Sequence, residues 1–264
     1  GGAGGFDTLE VRGGDYAALI FTATGPDSGT VDLSGRTIAY RGLEPILVNG
    51  GTATDVIFNL TASNDQAILE DDTAPGAGFR LRSDNSTFEL TSFSVPTGSL
   101  TINGGDGLDS VTIGSSLDLA TADLTINAEQ ITVTAGVTVN AGDITFTALA
   151  EDLTGGFGPL PEEIASLVFE EDQAVLAEAT AIVDLTGATL VGAKITLSAT
   201  ARATLDTTNP LFAFDDISIA VGYARTDAQV VLNNTTITAT GDLGIAAVSS
   251  ITMTAAISGD TEQP

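Results

Sequence analysis

A seven-residue phrase, Ala122-Asp123-Leu124-Thr125-Ile126-Asn127-Ala128, returns after twenty residues as Gly142-Asp143-Ile144-Thr145-Phe146-Thr147-Ala148, and again as Gly241–Ala247. Gly192–Ala199 is a looser copy. A unit of that length holds only short strands and corners, and it cannot bury an apolar face alone. It must stack on its neighbours. A second spacing overlies the first: Ala177–Leu190 aligns without gaps on Ala224–Ile237, an offset of 47. Two such units plus one protruding loop account for that offset, and the candidate loops are 151–172 and 206–216.

The local pattern inside each unit is strict alternation. Ile131-Thr132-Val133-Thr134, Ile144-Thr145-Phe146-Thr147, Ile195-Thr196-Leu197-Ser198 and Ile251-Thr252-Met253-Thr254 each send apolar residues one way and hydroxyls the other. Period two, broken at short intervals by Gly, Asn and Asp, predicts an all-β chain: a right-handed parallel β-helix (β-solenoid) with protruding loops over 116–264. The expected interior row is Leu124, Ile126, Ile131, Val133, Ile144, Phe146, Ile195, Leu197, Leu243, Ile245, Ile251 and Met253. One short helix is expected, at 161–168 inside the first loop, where Pro161 stands at the first helical position and acids fill the first turn. It is read as a lid on the solenoid side, with an adhesive protrusion as the alternative.

Residues 1–115 repeat differently. Val48-Asn49-Gly50-Gly51-Thr52-Ala53-Thr54-Asp55 returns 54 residues later as Ile102-Asn103-Gly104-Gly105-Asp106-Gly107-Leu108-Asp109, with a weaker version at Gly2–Asp7. That gives a looser region of about two units joined by glycine-aspartate turns, leading into the regular coils from 116.

Charge narrows the function classes. Eight Lys and Arg face 35 Asp and Glu, for a formal net charge of −27, and His, Cys and Trp are absent. Nucleic acid and anionic membrane surfaces both need basic patches, so neither is an expected partner. Thiol and imidazole chemistry is excluded, and so are disulfides. An acidic excess of this size repels itself unless cations relieve it, so divalent ions are the natural counter-charge. No apolar run is long enough for a membrane helix. A cysteine-free, acidic, Gly- and Thr-rich chain fits a secreted protein stabilised by repetition and metal, and Gly1–Gly5 reads as the start of a processed product or a slice of something longer.

Gly104-Gly105-Asp106-Gly107-Leu108-Asp109-Ser110-Val111-Thr112 fits the nonapeptide G-G-x-G-x-D-x-U-x at every fixed position. Glycine permits positive φ and exposes carbonyl oxygens, Asp109 offers a hard carboxylate, and Val111 enters the core. On these residues the chain resembles the RTX-type calcium-binding repeats of secreted proteins. The resemblance implies Ca2+ between two successive turns, held by the carbonyls of Gly104, Gly105 and Gly107 and by Asp109, with Asp106 and a facing Asp55 or Asp7. A plain glycine-aspartate turn without metal is the alternative reading. The phrases 228–250 and 181–203 resemble the β-helical repeats of very large bacterial exoproteins and haemagglutinin-like adhesins, and 25–46 resembles segments of giant repetitive surface proteins. These resemblances imply an extracellular, cell-surface role in attachment or sheath building. Self-association or neighbouring repeats of the parent chain are the implied partners, with cell-surface glycans as further candidates.

No catalytic residue is assigned. The acidic clusters Glu70-Asp71-Asp72, Glu170-Glu171-Asp172 and Asp215-Asp216 read as solvated loop charges, although a glycosidase keeps paired carboxylates. Polysaccharide lyases and hydrolases share the β-helix, so a carbohydrate-binding or carbohydrate-cleaving protein is the alternative. Arg202 and Arg225 lie in no catalytic motif of that kind. Outward threonines suit exposed strands, with an ice-binding face as the minor alternative.

Overall fold

The structure is a computed structural model that describes residues 7–43, 45–72, 78–152, 156–159, 173–207, 212–214, 217–219 and 222–255. The chain forms two compact units. The first holds 1–149, 182–199 and 229–247, and the second holds 150–181, 200–228 and 248–264. The described residues are all β, with no helix among them.

Most strand pairs are parallel and come from chain segments far apart in sequence. From Ser99 onward the chain visits three sheets in rotation. Ser99–Asn103, Asp123–Ala128, Ile144–Asp152, Ile195–Thr207 and Leu243–Ala255 lie side by side in a nine-stranded sheet. After them in sequence, Ser110–Ile113, Gln130–Val133, Gln173–Asp184 and Gly222–Val231 join a ten-stranded sheet. The short strands Leu117–Asp118, Thr138–Asn140, Thr189–Gly192 and Thr236–Ala239 make a four-stranded sheet. Among the described residues none of the sheets closes on itself.

The registers explain the repeats. Leu124 pairs with Ile144 and Val111 with Ile131, both at the twenty-residue spacing. Thr189 pairs with Thr236 and Leu190 with Ile237, which is the 47-residue spacing read from sequence. The N-terminal spacing differs from expectation. Asp55 pairs with Ser99 and Asn59 with Asn103, an offset of 44, while Tyr16 pairs with Ala53 at 37. The 54-residue recurrence of Gly-Gly-x-x-x-Asp is therefore not a ladder register; strand pairing follows the apolar rows Leu19/Val56/Leu100 and Phe21/Phe58/Ile102.

Alternation decides what is buried. Leu124, Ile126, Ile131, Ile144, Phe146, Ile195 and Leu197 are fully buried and Val133 nearly so, with Thr125, Thr132 and Thr145 on the other face. Each such side chain contributes about 1.5–3 kcal/mol by leaving water. Toward the N-terminus the row thickens into aromatics, where Phe21 stacks on Phe58 at 4.8 Å and Phe58 meets Phe93 at 5.0 Å. Four expected interior positions differ: Leu243, Ile245, Ile251 and Met253 are 45–58% exposed. Among the described residues their strand stands at the edge of the nine-stranded sheet, with a neighbouring strand on one side only. The opposite edge is built differently: Ser28–Leu33 and Thr37–Arg41 extend the sheet by antiparallel pairing and end it on a strand with exposed Thr37 and Arg41.

In the second unit, Gly156–Pro159 pairs antiparallel with Gln173–Leu176, and Phe212–Phe214 pairs with Ile217–Ile219; most of the expected loop 151–172 and part of 206–216 lie outside the described residues. Ala177, Ala203 and Leu205 pack together with Ala224, and Arg202 reaches Glu151 at 2.8 Å. The helix expected at 161–168 and the acidic clusters at 170–172 and 215–216 lie outside the described residues.

Candidate functional site

The glycine-rich nonapeptide lies at the corner between the nine- and ten-stranded sheets. Ser99–Asn103 enters it and Ser110–Ile113 leaves it. The strand registers set this turn, 104–109, against 60–65. The partner of Asp109 is thus Asp65, 44 residues earlier: Asp65 donates its main-chain N–H to Asp109 Oδ1 at 2.8 Å. Asp65 repeats the device within its own turn, where its Oδ2 accepts the Thr61 N–H at 2.8 Å and the Thr61 hydroxyl reaches both carboxylate oxygens. Twenty residues on, Glu129 Oε2 accepts the Asp109 N–H at 2.7 Å. Three carboxylates, Asp65, Asp109 and Glu129, thereby satisfy amides next to neighbouring parallel strands that the sheets leave unpaired.

Asp109 is 1% exposed, and its Oδ2 has no hydrogen-bond partner. Burial raises its pKa to about 6; the Asp65 N–H opposes the shift, while the Glu129, Asp65 and Asp106 carboxylates add to it. Burial also raises the Glu129 pKa. The turn demands its glycines: a Cβ on Gly104 meets Asp109 Oδ2 at 2.6 Å, and Gly107 has φ +127° with the Ser63 carbonyl oxygen 2.9 Å from a Cβ position.

Of the residues predicted for a metal, Gly104, Gly105, Asp106, Gly107 and Asp109 share this turn, and Val111 beyond it is fully buried as the motif requires. Asp106 is exposed. Asp55 sits elsewhere, in register with Ser99, whose hydroxyl donates to Asp55 Oδ1 at 2.8 Å. Asp7 precedes Leu9–Arg12, a strand that pairs with Ile46–Asn49 and not with the strand after Asp109. Sequence reasoning missed Asp65 and Glu129, because neither lies in a glycine turn. Among the described residues no three carboxylates converge closely enough to hold a metal by themselves. The one observation here that bears on a cation is Asp109 Oδ2, a buried carboxylate oxygen without a hydrogen-bond partner, the kind of hard oxygen donor that calcium takes.

A second column runs beside the first. Asn103 Nδ2 donates to Asn59 Oδ1 at 3.0 Å and Asn127 Nδ2 to Asn103 Oδ1 at 2.9 Å, an amide ladder on the outer face of the nine-stranded sheet. Within the acidic run 70–72, Glu70 is structural: Arg80 and Arg82 both pair with it across antiparallel strands and hold its pKa low against the effect of burial. Compared with protein-family models, curated proteins and solved structures, the chain matches none.

Proposed function

We propose that the chain is a stretch of right-handed parallel β-helix, stabilised by Ca2+ at the Asp109 corner, that serves as a structural or adhesive segment of a large secreted bacterial surface protein and is not an enzyme. In this reading residues 1–115 are the looser calcium-turn region and 116–264 the regular coils. The observation that carries it is the continuity of bonding across circuits: Asp65 to Asp109 to Glu129 at one corner, and Asn59 to Asn103 to Asn127 beside it. Such columns stiffen a repeating scaffold and contain no reactive constellation. The buried, unpartnered Asp109 Oδ2 supports a cation there, since a bound divalent ion removes the cost of leaving that oxygen unsatisfied.

The uncovered apolar row Leu243, Ile245, Ile251 and Met253 supports end-on docking of another β unit, either the next stretch of a parent chain or a second copy. A cell-surface location follows from the same reading. Sedimentation of the purified protein over a range of concentrations, with calcium and with chelator, tests it. The expected result is concentration-dependent association and a more compact species in calcium; a strictly monomeric protein indifferent to calcium overturns it.

A further inference from the structure

The corner between the nine- and ten-stranded sheets changes length along the protein. Thr52–Asn59 and Ser99–Asn103 are followed by turns 60–65 and 104–109, whereas Asp123–Ala128 is followed by Glu129 alone before Gln130–Val133 begins. At this step lies a cavity of about 260 Å³. The longer turn lends it Gly104 and Gly105, the shortened corner Ala128 and Glu129, and the next circuit Thr147 and Leu149. The bare wall is fixed: Gly105 has φ +105°, and Gly104 has no room for a side chain against Asp109.

We infer that this cavity binds one ring of a neutral saccharide. Its polar groups accept hydrogen bonds. Asn127, also in the lining, ends the amide ladder: one N–H of its Nδ2 goes to Asn103, while the other N–H and the Oδ1 carry no hydrogen bond among the described residues. The Glu129 carboxylate and the Thr147 hydroxyl add acceptors. Most of the lining surface is nevertheless apolar, with Leu149 42% exposed beside Ala128. A metal ion needs more oxygen than that, and a flat aromatic ligand finds no ring to stack on. The lining has no basic side chain, and the net charge of −27 repels anionic ligands. A pyranose matches both parts of this lining, with hydroxyls that donate to and accept from Asn127, Glu129 and Thr147 and a C–H face for Leu149.

This inference is independent of the scaffold reading; failure of sugar binding in a protein with normal calcium response and association sinks this inference alone. The test is saturation-transfer NMR and calorimetry on the full chain with cellopentaose, maltopentaose, N-acetylchitopentaose and, as the acidic probe, pentagalacturonate. At least one neutral probe is expected to bind, and pentagalacturonate is not. Thr147→Val and Leu149→Ala, checked for wild-type circular dichroism, are each expected to weaken binding about tenfold, the equivalent of one lost contact. Thr101→Val, on the same sheet face but outside the cavity, is expected to leave it unchanged. Absence of binding by every neutral probe, preference for the acidic one, or equal loss in Thr101→Val overturns the inference.

Discussion

The side chain of Asp109 accepts the main-chain N–H of Asp65 across 44 residues of sequence, at 2.8 Å, in a site 1% exposed. The bond does the work of a ladder hydrogen bond at a corner where the sheet cannot supply one. Removing the carboxylate leaves the buried Asp65 amide without a partner, at a cost of about 1–3 kcal/mol. Asp109→Ala is therefore expected to lower stability by about that amount in urea melts with chelator present at about pH 4, where the carboxyl is neutral. Asp109→Asn keeps a carbonyl acceptor and loses the charge, so it is expected to fall well short of that loss. Equal damage from both substitutions would show that the Asp65 bond is not what Asp109 contributes.

The raised pKa of Asp109 fixes the direction of a pH effect. Its folded value of about 6 lies above the roughly 3.9 of an unfolded aspartate. The stability it contributes is therefore fully present below about pH 4 and lost as pH rises through about 6, a loss of about 2–3 kcal/mol at neutral pH without metal. The Asn variant lacks this titration. Denaturant melts from pH 4 to 7 in chelator are expected to show wild type losing ground to Asp109→Asn across that window, and a constant difference would contradict the buried carboxyl.

The amide ladder predicts unequal effects of position. Asn103 takes part in two bonds of the ladder and Asn127 in one. Asn103→Ala is expected to cost about 1–3 kcal/mol and Asn127→Ala about half as much. Thermal melts of the two single variants decide this; the reverse order would mean that the ladder bonds are not what stabilises this face.

How much of this was legible in sequence depends on which signal each feature leaves. The apolar rows were readable because period two and burial coincide at Leu124, Ile126, Ile144 and Phe146. The 47-residue offset was readable because Ala177–Leu190 and Ala224–Ile237 are related along their whole length. The N-terminal register was not: two glycine turns looked alike at 54 residues, while pairing follows Leu19, Val56 and Leu100. Asp65 escaped notice because it ends Thr61-Ala62-Ser63-Asn64-Asp65, which has no glycine. The asparagine ladder did leave a mark. Phe58-Asn59, Ile102-Asn103 and Ile126-Asn127 each place an asparagine after a buried apolar residue near the end of a strand, but their uneven spacing of 44 and 24 hides the repeat.

Position along the interior row sets the cost of truncation. Phe146 is fully buried, and Phe146→Ala is expected to cost about 3–5 kcal/mol. Ile245 continues the same alternating pattern but is 45% exposed, so Ile245→Ala is expected to cost only about 1 kcal/mol in dilute monomer. If another β unit covers that row at higher concentration, the cost of Ile245→Ala should rise with concentration while that of Phe146→Ala stays fixed. Melts at two protein concentrations separate these cases, and a concentration-independent cost for both would argue against end-on docking.

Calcium gives the sharpest test of the Asp109 corner, because three variants separate the roles of its carboxylates. One site filled at a hundred times its dissociation constant adds about 2.7 kcal/mol. Wild type is expected to gain on that order in melts with calcium over melts with chelator. Asp109→Asn removes the buried oxygen anion that has no hydrogen-bond partner, so the gain should vanish even though the turn remains folded. Glu129→Gln keeps an acceptor for the Asp109 N–H and removes a carboxylate that raises the Asp109 pKa. It is expected to retain most of the calcium gain. Asp55→Asn, in register with Ser99, should respond as wild type does. Loss of the response in Asp55→Asn but not in Asp109→Asn would move the ion to the other glycine turn, and no response in wild type would leave the turn as plain scaffold.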